Sequence, residues 1–162
     1  MKTNLIILII CIFTSFAGYG QNNKCLTKND VIDYTIKILD DNCIIEGAEE
    51  WNCNEPFFRY IPLAPKEDIQ LILVPMDCGD FENRYYLLTV KDNKIISNLY
   101  VEGEWYEEFD NVESRNTAFT SFEIDDDYNI IVTTVWIRNN IIVNGDKETY
   151  QILYTGEIEE VK

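Results

Sequence analysis

The segment Ile130-Ile131-Val132-Thr133-Thr134-Val135-Trp136-Ile137 is apolar or β-branched at every position. Successive side chains of a strand point to opposite faces, so a strand of this kind is expected to be central in its sheet and covered on each side. Around it, the chain after Phe57 is a series of apolar runs divided by turn residues. The runs cover 57–63, 69–74, 84–91, 94–101, 118–124, 129–143, 148–154 and 157–161. Turn residues stand at Asp92-Asn93, Asp125-Asp126-Asp127, Asn144-Gly145 and Thr155-Gly156, and short turns between sequential strands give an antiparallel meander. Pro62, Pro65 and Pro75 assign the first two runs to a sheet edge or to positions outside the sheet. In the run 94–101, alternation sets Ile95, Ser97, Leu99 and Val101 on one face.

The cover for the central strand is sought upstream. From Thr27 the chain places Val31, Tyr34 and Ile38, and then Ile32, Ile36 and Leu39, at helical spacing, with Thr27 or Asn29 as N-cap. This predicts an amphipathic helix of about three turns. The segment 44–56 reads as a loop with one helical turn around Glu49-Glu50-Trp51. The fold class expected is therefore α+β: an N-terminal amphipathic helix packed on a curved, mostly antiparallel meander of six to eight strands, with closure into a barrel left open.

Residues 1–20 have the three parts of a secretory signal peptide. Lys2 gives the positive start, the stretch 5–13 is wholly apolar, and Ala17, Gly18 and Gly20 supply the small residues before a cut ahead of Gln21. The apolar stretch falls short of the about 20 residues needed to span a bilayer. Lipidation at Cys11 is disfavoured because Ile10, not a small residue, precedes it. The expectation is one exported domain over 21–162, secreted or periplasmic, with no stable membrane anchor after cleavage.

The full chain has 29 acidic and 13 basic residues and a formal charge of −16, which becomes −17 once Lys2 is removed. Phosphate backbones and anionic membranes are bound by clustered Lys and Arg, so nucleic acid is excluded as a partner and a cationic partner is favoured. Four cysteines follow the signal, Cys25, Cys43, Cys53 and Cys78. An even number in an exported domain reads as two disulfides. A helix between Cys25 and Cys43 would hold its ends about 18 Å apart, which disfavours that pairing, and the sequence does not separate the other two.

There is no histidine in the chain. That removes the side chain most often used as a general base near neutral pH and the triads built on it. Ser97, Ser114 and Ser121 stand in no nucleophile motif, and no two cysteines have zinc-ligand spacing. Asp125, Asp127 and Asn129 open like a calcium loop, but Ile130 and Trp136 occupy positions where an EF-hand has glycine and glutamate. The reading is a tight acidic turn; no catalytic residue, cofactor or metal site is assigned.

The stretch from Tyr100 to Asp110 sets Trp105, Tyr106 and Phe109 among Glu102, Glu104, Glu107, Glu108 and Asp110. Aromatic anchors ringed by acids suit contact with a protein or peptide of basic surface. The leading functional expectation is a non-enzymatic exported binding protein, of which an envelope immunity or inhibitor protein is one form. The alternative is a small barrel-like carrier of an apolar ligand. Oligomeric state is not legible.

Overall fold

The computed structural model describes residues 25–26, 35–79, 83–106 and 116–162. Among these residues nine strands follow one another: β1 (Lys37–Ile38), β2 (Arg59–Pro62), β3 (Gln70–Pro75), β4 (Arg84–Lys91), β5 (Lys94–Tyr106), β6 (Asn116–Ile124), β7 (Asn129–Arg138), β8 (Ile141–Ile152) and β9 (Ile158–Glu160). Each pairs antiparallel with the next, in one open sheet whose spatial order is the chain order. The meander is as expected; the strand number exceeds six to eight by one, and the sheet does not close into a barrel.

The expected N-terminal helix is not supported. Residues 27–34 lie outside the described residues, while 35–42 hold the short strand β1 and a turn in which Asp40 accepts hydrogen bonds from the Asn42 backbone N–H and side-chain amide. The β-branched content of this stretch makes it a weak intrinsic helix former, and pairing of Lys37 and Ile38 with Tyr60 and Arg59 gives its backbone another use. Cys25 and Cys43 are bridged, with Cα atoms 5.3 Å apart, and the second bridge is Cys53–Cys78 at 5.4 Å. The pairing disfavoured from the sequence is thus the one present. Two disulfides fit an oxidising, extracytoplasmic compartment.

Two-sided burial falls on β3 and β4, not on β7. The neighbours Leu87 and Leu88 point to opposite faces and are both 0% exposed. Leu87 joins Ile61, Leu71, Leu73, Val101 and Ile130 on the concave side, whereas Leu88 packs with Ile72, Val74 and Val90 on the convex side. The convex side is covered by the disulfide-tied segment before β2. Leu26, Ile45, Phe58 and a 3-10 helix at Ala48–Trp51 lie over it, with the Trp51 ring 5.1 Å from that of Tyr86. That cover stops short of β7, where Ile130 is buried but Ile131 only half-buried. The prolines expected to exclude β3 from the sheet interior sit where they disturb no ladder: Pro62 and Pro75 are the last residues of β2 and β3.

Two turns define the hairpins by backbone chirality. Asp92 and Asn93 both have positive φ, as expected of a two-residue turn that matches strand twist. The turn expected at Asn144-Gly145 is instead at Asn139 and Asn140, also both positive in φ. Gly145 runs straight through β8 opposite Val135. Asparagine reaches the left-handed region more readily than other side-chain residues, and the pair Asn-Asn here outcompetes Asn-Gly as the reversal point.

β5 is where the sheet bends. It pairs with β4 along Lys94–Gly103, with register shifts opposite Tyr85/Tyr86 and Thr89/Val90, and with β6 only from Gly103 to Tyr106. The second shift places Ile95 opposite Val90 and Leu99 opposite Leu87, so the alternation expected along 95–101 is broken and Ile95 joins the convex cluster. Below Gly103, β5 leaves β6 and approaches β9, with the Ile158 N–H donating to Ser97 Oγ. Thr89, fully buried, donates to the carbonyl of Gly156 at 2.5 Å. The second half of the sheet is thereby folded over the first.

Candidate functional site

Parting of β5 and β6 leaves a cleft of about 800 Å³ between the two halves of the sheet. Its floor is aliphatic and buried: Ile61 and Leu63 come from β2 and its end, and Leu71 and Leu73 from β3. Phe122 and Ile124 of β6 line the opposite side, and Tyr85 and Tyr128 complete the apolar surface. These side chains point inward because each alternates with an outward neighbour in its strand.

The charged lining is of one sign. Glu102, Glu123, Asp125 and Asp126 line the cleft, all four exposed, and among the described residues no basic one lines it. Floor and mouth therefore differ: buried hydrocarbon inside, carboxylates at the water. Lys66, a nearby cation, is committed elsewhere. Its Nζ donates to the Ile152 carbonyl at 2.6 Å and lies 5.6 Å from the centre of the Tyr128 ring. Tyr128 in turn donates its hydroxyl to the Pro65 carbonyl at 2.7 Å, which joins the β6–β7 turn to the loop after β2.

The acidic turn expected at Asp125 is present. Oδ1 accepts from the backbone N–H groups of Asp127 and Asn129, and Oδ2 from the Asn129 amide at 2.8 Å. These bonds, the Asn129 side chain first, hold the Asp125 carboxyl below its usual pKa. Its oxygens are occupied by the turn itself. On β8, Tyr150 donates to Glu148, which with burial pushes its hydroxyl up to about 12. No group of three or more His, Cys, Asp or Glu side chains is placed to hold a metal among the described residues.

The interaction stretch read from the sequence is only partly placed. Glu107, Glu108, Phe109 and Asp110 lie outside the described residues. Glu102, Glu104, Trp105 and Tyr106 belong to the end of β5, not to a loop. Of these, Glu102 is brought into the cleft, whereas Trp105 lies away from it, with its ring 5.5 Å from and edge-on to Trp136. Trp105 is 38% exposed. Its truncation is expected to cost about 1 to 2 kcal/mol in a urea melt, less than the about 3 to 5 kcal/mol of a fully buried tryptophan. A larger loss would identify it as a core residue.

Sequence reading missed the cleft residues because they come from four separate runs. Gly103, within the otherwise side-chain-bearing strand β5, is the local signal that could have shown the parting. Comparison with family models, with curated proteins and with solved structures finds no match. What the fold and cleft define is a class: an acidic, disulfide-bonded antiparallel β protein with a concave apolar cleft.

Proposed function

We propose that the chain is an exported, non-enzymatic binding protein that takes a small apolar ligand into the cleft between β2–β3 and β6. The observation that carries this reading is the cleft itself: its volume is about 800 Å³, within the range of about 300–1,000 Å³ usual for small-molecule sites, and its floor is aliphatic. This is the second of the two expectations from sequence, in a form that needs an open curved sheet and not a closed barrel. The signal-like residues 1–20 and the two disulfides support secretion or periplasmic residence. The lack of histidine supports binding over catalysis.

One observation favours contact with a basic protein or peptide as a second reading. Trp105 stays 38% exposed beside Glu104 on β5, as a surface anchor would. The two readings separate on one experiment, titration with N-phenyl-1-naphthylamine, a neutral probe whose fluorescence rises in apolar surroundings. Saturable enhancement at one probe per protein supports the cleft reading. Absence of enhancement overturns it.

A further inference from the structure

We infer that the ligand class of the cleft is a cationic amphiphile: an apolar body seated on the Leu71 and Leu73 floor with an amine or quaternary ammonium at the carboxylate mouth. This rests on the proposed binding function and adds the charge of the ligand to it. Glu102 reaches the mouth from β5, and Glu123 and Asp126 from β6 and the turn after it. All three are exposed, and the ion pairs among the described residues, Arg59–Asp77, Lys91–Asp68 and Lys94–Glu46, involve none of them. Lys66 is held by the Ile152 carbonyl and the face of Tyr128. Among the described lining residues an anionic headgroup would thus meet carboxylates and no basic side chain, whereas an ammonium would meet charges of opposite sign.

Steering by the whole chain acts in the same direction. With a formal charge of −16, the protein attracts cations and repels anions before contact, and both effects weaken as salt rises. The apolar floor selects for a hydrocarbon body, and the mouth selects the sign of its head.

The test is displacement of N-phenyl-1-naphthylamine by matched ligands below their micelle concentrations: dodecyltrimethylammonium, neutral dodecanol and dodecyl sulfate. The cationic ligand is expected to displace the probe at about tenfold lower concentration than the anionic one, with dodecanol between them. The triple variant Glu102→Gln, Glu123→Gln, Asp126→Asn should bind the neutral probe as the parent does and shrink that gap to about threefold or less. Added salt should narrow the gap in the parent. Equal displacement by the three ligands, or a gap unchanged in the triple variant, overturns the charge assignment while leaving the apolar cleft standing. Failure of the neutral probe to bind overturns both.

Discussion

Removing both disulfides is expected to unfold the protein. In the chain-entropy account, bridges that close separations of 18 and 25 residues stabilise by about 3 kcal/mol each, roughly 6 to 7 kcal/mol together. An ordinary domain has a net stability of about 5 to 15 kcal/mol. The dependence is greater here because of what the bridges hold. The cover on Ile72, Val74, Leu88 and Val90 contains only a two-residue strand and one 3-10 turn as regular structure among the described residues. With little backbone pairing of its own, that cover relies on Cys53–Cys78 to fasten it near the end of β3 and on Cys25–Cys43 to fold it back on itself. Far-UV circular dichroism in urea, with and without reductant, should show a lowered midpoint or no native baseline on reduction. A loss of stability of less than about 1 kcal/mol would mean that the convex face is held by packing alone.

Gly103→Val is expected to cost about 3 kcal/mol or more, a loss confined to a few mechanisms of which backbone collision is one. A Cβ at Gly103 would collide with the Asn83 carbonyl oxygen, stand 2.6 Å from the Tyr100 hydroxyl, and lie 3.3 Å from the Arg84 Cα. The backbone of β4 cannot yield without breaking its ladder with β5. Gly145 is the control, since among the described residues a Cβ there would meet the Thr134 carbonyl at an ordinary 3.7 Å. Gly145→Ala should therefore stay within about 0.5 kcal/mol. Because Gly103 sits where β5 begins to pair with β6, its replacement should also reduce probe binding in the protein that remains folded. Equal stabilities for the two variants in urea would show that the close approach at Gly103 is relieved at little cost.

The parts of the fold legible from sequence are those fixed by neighbours in the chain. The run 84–91 became β4 with those bounds because alternating and β-branched residues end at Asp92-Asn93, a pair that accepts positive φ. The helical turn near Trp51 was also legible, from a glycine followed by two acids. What was lost depended on distant partners. Val31, Tyr34 and Ile38 have helical spacing, yet Ile38 pairs with Arg59 in a strand, since tertiary pairing overrides weak propensity. The apolar faces of β7 suggested a strand covered on both sides, but the cover went to β3 and β4, and no local pattern tells which two-sided strand receives it. The cleft was legible only as a class, a curved sheet able to hold an apolar group. Leu63, Leu73 and Phe122 meet through a bend at β5 that the bulges and Gly103 set jointly.

The most direct test of the cleft as the binding site is methyl NMR of the disulfide-intact protein titrated with N-phenyl-1-naphthylamine. The cleft and the convex cluster both contain Ile, Leu or Val methyls, and the exposed Ile141, Ile142 and Val143 at the β7–β8 tip offer a third apolar location. The account predicts saturable shifts concentrated at Ile61, Leu63, Leu71, Leu73 and Ile124, with Val74, Leu88 and Val90 unmoved. Shifts confined to Ile141, Ile142 and Val143, or none at any methyl, would contradict it.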